Sequence, residues 1–255
     1  MGRTMIQSVD RAMRVLGVLR TARRLALSEI ATRLDLAPST VHGIIKTLQV
    51  HGMVLQDQGS GHYRLGPAAL KLGNVYLDTL ELRSRAITWA GELARGTGYA
   101  VRTGVLLPEE VLIVHHEPRP DGSRQMPEVG IVIPAHASAL GKAILAFSPE
   151  HAESYPDGPL RSMTRDTVTD PARFRAQLDA VRSHALASEQ EEAVIGECGL
   201  AAPIFDGYGT VAGAVGVVVP MLEWPVGDAV AGAVRDAART ISRELGAPHW
   251  PVPPA

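Results

Sequence analysis

One cysteine, three phenylalanines and no long apolar run are what this 255-residue sequence has least of, and each scarcity removes a class of protein. A single thiol, Cys198, forms no intramolecular disulfide and supplies no cysteine-based zinc finger. No apolar stretch approaches the roughly 20 residues of a membrane span. Met1-Gly-Arg-Thr-Met-Ile6 has no apolar core of a secretory signal. The expectation is a cytoplasmic protein without membrane contact. Lysine is scarce beside arginine, while Ala, Gly and Val abound, which reflects GC-rich bacterial coding rather than a function. The net charge of −2 is unevenly spread. Residues 1–65 hold nine Arg/Lys against four Asp/Glu, and the remainder holds sixteen against twenty-three. A basic module on an acidic body is the footprint of a chain that meets phosphate with one part and something else with the other. The plainer alternative is that Arg11, Arg14, Arg20, Arg23 and Arg24 merely solvate a helix and its loop.

What the chain does have is concentrated between Leu25 and Leu65. Ser28-Glu-Ile-Ala-Thr-Arg-Leu34 reads as a helix with Ser28 as N-cap, its buried face set by Leu27, Ile30, Ala31 and Leu34. Ala37-Pro38 breaks it, and Pro38 suits the first turn of a second helix that buries Val41, Ile44, Ile45 and Leu48. The opposite face centres on Ser39, Gly43 and Lys46, flanked by His42 and Thr47. A short polar face with a small residue in its middle and a cation at its edge suits the major groove of DNA. An earlier helix, about Val9 to Arg20, buries Ala12, Val15, Leu16 and Leu19. His51-Gly52 ends the second helix of the pair. Val54–Gln56 and His62–Leu65 form a hairpin around Asp57-Gln-Gly-Ser-Gly61, with Gly59 and Gly61 expected at positive φ and Arg64, with His62, reaching phosphate or the minor groove. Together these elements spell a winged helix-turn-helix.

From Pro67 to about Arg95 the pattern predicts one long helix, apolar beyond a single stripe, as dimerising or docking helices are. Its second half reads equally well as a core helix of the C-terminal domain. Beyond Thr97-Gly98 strands and helices mix. Ala100–Leu107 and Val111–Glu117 flank a Pro108-Glu-Glu110 turn. Helices are expected over Ser138–Phe147, Pro171–His184 (N-cap Asp170) and Asp228–Leu245. Leu200–Phe205 and Thr210–Val219 form a hairpin around Asp206-Gly-Tyr-Gly209. The fold class expected is α+β. The domains are 1–66, the winged helix-turn-helix; 67–95, a linker and dimerisation helix; 96–246, an antiparallel sheet carrying helices; and 247–255, a proline-rich tail.

No catalytic constellation stands out. His136-Ala-Ser-Ala-Leu-Gly-Lys142 lacks the first glycine of a phosphate loop, and Ala143 replaces its metal-binding hydroxyl. Gly207-Tyr-Gly-Thr-Val-Ala-Gly213 misses the dinucleotide fingerprint and precedes a strand. Glu189, Glu191 and Glu192 read as a solvated turn in which Glu189 alone can look inward. His115 and His116 are adjacent on a strand and point to opposite faces, so they do not jointly hold a metal. Arg102, His115, His116 and His136 are expected to be satisfied or solvent-facing. Neither enzymatic activity, a metal nor a cofactor is expected.

The order and spacing of several segments resemble the IclR family of bacterial transcriptional regulators along essentially the whole chain. They are Val9-Asp-Arg-Ala-Met-Arg-Val-Leu16, Leu36-Ala-Pro-Ser-Thr-Val-His-Gly-Ile-Ile-Lys-Thr-Leu48, Tyr63-Arg-Leu-Gly66, Pro134-Ala-His-Ala-Ser-Ala-Leu-Gly-Lys-Ala-Ile-Leu-Ala146 and Gly199-Leu-Ala-Ala-Pro-Ile-Phe-Asp206. The resemblance implies a C-terminal effector-binding domain resembling the GAF fold, homodimers formed through the DNA-binding domains, and further pairing into tetramers. Leu72-Gly-Asn-Val-Tyr-Leu-Asp78 and Val111–Gln125 resemble, more narrowly, the actinobacterial glycerol-operon repressors of that family, which implies glycerol 3-phosphate as effector.

The helix-turn-helix and its wing give Ser28, Ser39, Thr40, His42, Gly43, Lys46, Thr47 and Arg64 as the candidates for DNA contact, and the resemblance adds the effector pocket. It assigns effector contact to Ala139 and Leu140 at the start of a helix, to Glu189, to Cys198 and Gly199, and to Gly216 and Val218. Two departures stand out. The family's cysteine column falls on Gly199, so Cys198 is expected on the wrong side of its strand. Gly216 and Val218 stand where relatives present hydroxyls, which argues against a glyoxylate- or pyruvate-type ligand. The expectation is a ligand-responsive repressor of a catabolic operon that reads a pseudo-palindromic operator in double-stranded DNA. An activator of an aromatic-acid or other carbon-source pathway is the alternative. A sensor module that docks a protein partner is the alternative of another class.

Overall fold

The computed structural model describes residues 5–155 and 158–251, and the chain divides into two compact units, 1–79 and 80–255. In the first unit, helix α1 (Gln7–Ala22) lies with α2 (Leu27–Leu34) and α3 (Pro38–Val50) ahead of a hairpin, β1 (Val54–Gln56) and β2 (Tyr63–Leu65). The inward positions Val15, Leu19, Ile30, Ala31, Leu34, Val41 and Ile45 pack as one core with Leu25, Val54 and Tyr63. Ala12, Leu16, Leu27, Ile44 and Leu48 are half-buried at its margin. The i, i+3, i+4 spacing therefore selects the right faces.

Several local expectations are corrected. The N-cap of α2 is Ala26, not Ser28; its N–H donates to Glu29 Oε2 at 2.6 Å, so Glu29 does the capping. At the wing tip Gly61 has φ +70°, while Gly59 is not left-handed. The turn is instead held by Asp57, whose carboxylate accepts from the N–H groups of Gly59 (3.0 Å) and Ser60 (3.1 Å). Those bonds hold the Asp57 carboxyl below its ordinary range. The expected single helix over 67–95 is two, α4 (Pro67–Thr79) and α5 (Glu81–Thr97), separated at Leu80 (φ −80°, ψ +99°). Leu70, Leu72, Val75 and Tyr76 of α4 are exposed.

The second unit is a six-stranded antiparallel sheet in the order β5-β4-β3-β8-β7-β6. The strands are β3 (Ala100–Leu106), β4 (Glu110–Glu117), β5 (Val132–Pro134), β6 (Ala187–Gln190), β7 (Glu197–Phe205) and β8 (Val211–Pro220). Helices α5 and α9 (Asp228–Glu244) pack together on one face. Ser242 fixes α9 to β7, its Oγ accepting from the Phe205 N–H at 3.0 Å. The other face carries α6 (Ala139–Leu145) and, over its edge, α7 (Pro149–Glu153) and α8 (Pro171–His184). Strands β5 and β6 and helix α7 escape the sequence reading. Ser138 and Asp170 cap α6 and α8.

A β-bulge shapes β4. Thr103 pairs with His115 but Gly104 with Ile113, so Val114 is the extra residue, and its carbonyl accepts from Arg83 Nε on α5 at 3.0 Å. All seven residues of α6 are buried. The helix fits because Gly141 has no side chain, since a Cβ there would lie 2.0 Å from the Ala135 carbonyl oxygen. Within the tail, Trp250 is buried and donates from Nε1 to the Pro203 carbonyl at 2.9 Å.

Candidate nucleic-acid interface and effector cavity

Helix α3 turns Ser39, His42, Gly43, Lys46 and Thr47 to solvent, with Thr40 half-buried. A Cβ added at Gly43 would meet nothing within 4 Å, so no packing demand explains a glycine there. Its effect is a shallow spot in the middle of the exposed face, where another surface approaches the backbone closely. Thr47 turns its Oγ1 back onto the Gly43 carbonyl at 3.1 Å. Ser28 is exposed one residue inside the start of α2. Arg64, opposite Leu55 in the hairpin, is exposed on the wing. The candidates of the helix-turn-helix thus form a polar, cation-edged surface on a rigid three-helix core. Val9 and Met13 on α1, and Ile6 at its N-cap, remain exposed.

The second unit has a small, partly open cavity of about 30 Å³ between α6 and the sheet. Register explains its composition. Gly199 of β7 pairs with Glu189 of β6 on one side and with Val218 of β8 on the other. Gly216 of β8 pairs with Arg102 of β3. Paired residues share a face, so Glu189, Gly199, Val218, Gly216 and Arg102 all stand on the face that α6 covers. Ala139, Leu140, Glu189, Cys198, Gly199, Gly216 and Val218 all line the cavity. Cys198 donates from Sγ to Met221 Sδ at 3.5 Å. Alternation puts its side chain on the face opposite Gly199, as its displacement by one position implies. The volume is about that of one or two waters.

Arg102 is satisfied, as the sequence reading expected, but it is satisfied at the wall of the cavity. It is the one cation among the described residues lining the cavity. Its guanidinium is bound by both carboxylate oxygens of Glu128, with Nη2 2.9 Å from Oε1, and by Glu197 through Nη1 at 3.1 Å. Burial disfavours that charge, but the two carboxylates outweigh it and raise the guanidinium pKa. His116 shares the Arg102 face and His115 the Thr103 face, so the two histidines part as alternation requires. His136 is buried and satisfied, its Nε2 2.8 Å from the Arg161 carbonyl.

Behind α6 lies an ion pair that sequence reasoning missed. Lys142, which completes no phosphate loop, is 1% exposed, and its Nζ lies 2.5 Å from Glu192 Oε1. Glu192 is therefore not part of a solvated turn. Its carbonyl accepts from Thr167 Oγ1 at 2.7 Å, and its N–H donates to Glu189 Oε2 at 3.0 Å. Burial pulls the Lys142 ammonium pKa down despite Glu192. Glu189 has no cation of its own, and burial, reinforced by the charge of Glu192, pushes its carboxyl up to about 7. No sequence signal joins residues fifty positions apart. Among the described residues there is no cluster that would hold a metal ion, and no helix is long and apolar enough to cross a membrane.

A winged helix-turn-helix followed by a sheet domain with a small, partly polar cavity defines a class of protein, the small-molecule-responsive DNA-binding regulator. Two family models match in register with these units. The IclR helix-turn-helix domain covers residues 8–58, and the bacterial transcriptional regulator IclR C-terminal domain covers 74–243. The chain belongs to the IclR family of bacterial transcriptional regulators. It is 45% identical to the glycerol operon regulatory protein of Streptomyces coelicolor, over 95% of this chain and 97% of that one. It is 46% identical to that of Streptomyces griseus with the same coverage. Among solved structures, an IclR-type regulator from Silicibacter sp. TM1040 matches with a TM-score of 0.84 at 27% identity, covering 97% of this chain and all of that one. An IclR homolog from Microbacterium hydrocarbonoxydans, solved with 4-hydroxybenzoate, matches with a TM-score of 0.76 at 25% identity, covering 93% and 98%.

Proposed function

We propose that this regulator is a repressor of a glycerol-utilisation operon and that glycerol 3-phosphate releases it from DNA. The observation that carries the reading is the 45–46% identity, through both units, to glycerol operon regulatory proteins. In this reading α3 enters the major groove with Ser39, Thr40, His42 and Gly43 toward base edges. Lys46 and Arg64 reach phosphate, Thr47 and Ser28 flank them, and a two-fold dimer spans two half-sites of a pseudo-palindrome. The exposed Val9 and Met13 of α1, with Ile6 at its N-cap, support pairing of two copies. The protein works in the cytoplasm, as a dimer or a pair of dimers, and without catalysis. The effector enters between α6 and the β7–β8–β3 face, contacting Ala139, Leu140, Glu189, Gly199, Gly216 and Val218, with Cys198 contributing backbone. It acts only as far as its affinity differs between DNA-competent and DNA-released states.

The test is fluorescence anisotropy on DNA from the gene's own promoter region, with and without glycerol 3-phosphate. Tight, salt-sensitive binding weakened by the ligand is expected. Specific binding indifferent to glycerol 3-phosphate removes the glycerol reading, and absent or salt-insensitive binding favours the protein-docking alternative. A second reading, an activator answering an aromatic acid, draws on the apolar Leu140, Val194 and Val218 of the cavity and on the relative that holds 4-hydroxybenzoate. Titration with 4-hydroxybenzoate in the same assay separates the two.

A further inference from the structure

Arg102 is held in an unusual way for a residue facing a ligand cavity. Its side chain is 16% exposed and carries two carboxylates on one guanidinium. The two differ in origin. Glu197 begins β7 and lines the cavity. Glu128 comes from the irregular segment between β4 and β5, a turn fastened to β4 by the bond from the Gly130 N–H to the Ile113 carbonyl (2.8 Å) and closed by that from the Ile131 N–H to the Glu128 carbonyl (2.9 Å). The two-bond fork that Glu128 makes is the geometry in which arginine also grips a phosphate group.

We infer that Arg102 is the anion anchor of the effector cavity, and that the phosphate group of a small phosphorylated polyol binds it by displacing Glu128. The inference rests on the glycerol 3-phosphate reading and assigns the residue that selects the phosphorylated compound over the free polyol. Three observations support it. First, Gly216, directly opposite Arg102 on β8, cannot supply the contact, because a Cβ there would lie 2.4 Å from the Leu200 carbonyl oxygen. Second, the exchange strands no buried charge, since the Glu128 side chain is already 22% exposed and Glu197 stays in place. Third, the cavity offers no uncommitted carboxylate to a cationic ligand. Glu128 and Glu197 are taken by Arg102. Glu189, packed near Glu192, Lys142 and Glu197, titrates at about 7 and can donate as a neutral acid. Glu128 lies outside the lining of the cavity and Arg102 within it, so displacing that carboxylate frees the cation at the cavity wall.

The test uses the full-length protein and calorimetric titration with glycerol 3-phosphate, glycerol and inorganic phosphate. Glu128→Gln removes the competing charge and should tighten glycerol 3-phosphate and inorganic phosphate by about tenfold, the scale of a charge-assisted bond. Arg102→Gln should weaken glycerol 3-phosphate by at least about tenfold and erase the preference over glycerol. Because Glu128→Gln is a gain of binding, loss of folding cannot imitate it. Unchanged or weaker binding by Glu128→Gln overturns the anchor, as does a failure of both wild type and Glu128→Gln to bind either phosphate compound. Glycerol 3-phosphate releasing DNA equally from wild type and Arg102→Gln also overturns it while the effector reading stands. Arg102-dependent phosphate binding without any effect on DNA sustains the anchor and removes the effector reading.

Discussion

Glu189→Gln should remove one pH-dependent contribution to the stability of the second unit, leaving that of His115, His116 and His136 in place. Glu189 is 9% exposed, and its carboxyl moves from 4.5 to about 7 on folding. A raised folded-state pKa means that the folded protein holds the proton more tightly. The stabilising contribution is present in full below 4.5 and is lost as pH rises through about 7. In full it amounts to about 3 kcal/mol at 1.36 kcal/mol per pKa unit, and about 2 kcal/mol of it disappears between about pH 5.5 and 8.5. Glutamine keeps the shape and carries no charge at any pH. Guanidinium unfolding should therefore show the variant gaining about 2 kcal/mol on wild type across that interval. Trp89, Trp224 and Trp250 are the chain's three tryptophans and all lie in the second unit, so their fluorescence follows that unit alone. A wild-type-minus-variant difference that stays constant within about 0.5 kcal/mol would refute a protonated Glu189.

Other perturbations probe neighbouring groups. Lys142→Met leaves Glu192 buried without its partner and should cost about 3–5 kcal/mol, whereas Lys142→Met with Glu192→Leu should recover most of that loss; equal instability of the single and double variants in denaturant titrations would contradict the pairing. Gly141→Ala drives a Cβ against the Ala135 carbonyl and should destabilise by about 1–3 kcal/mol, read as an earlier unfolding midpoint; a midpoint equal to wild type would show that α6 can shift. Lys46→Ala should weaken all DNA sequences alike and reduce the salt slope by about one, and an unchanged slope in the anisotropy assay would remove Lys46 from the phosphate contacts.

What could be read from the residues was local. Helices α1 to α3 announced themselves by i, i+3, i+4 spacing, and α8 by Asp170 followed by a proline. The break at Leu80 left no such mark: Leu80-Glu-Leu continues the apolar pattern without glycine or proline, so the residues alone predicted one helix. Strand β6 escaped because Ala-Ser-Glu-Gln is polar in composition. Its alternation, with Ala187 and Glu189 inward, was the available signal, obscured by the following carboxylates. The cavity residues came from the family resemblance, and sheet register explains why they converge. The partners of Arg102 and the Lys142–Glu192 pair were out of reach, because each depends on groups brought together by tertiary folding from 26 to 95 positions away.

The complete burial of α6 has a bearing on how such a sensor changes its ligand. A helix with no solvent-facing residue, seated on a glycine against a backbone carbonyl, has no position where a substitution is free of cost to the core. The strands opposite differ from position to position: Gly104 and Gly216 have no room for a Cβ, whereas Val218 faces the cavity from a backbone that the sheet holds fixed and is only half-buried. Most of the site is thus bound to stability, and a few strand positions are open to variation. A chain arranged in this way can drift from one metabolite to another by exchanging single residues such as Val218, while the part that keeps it folded stays the same.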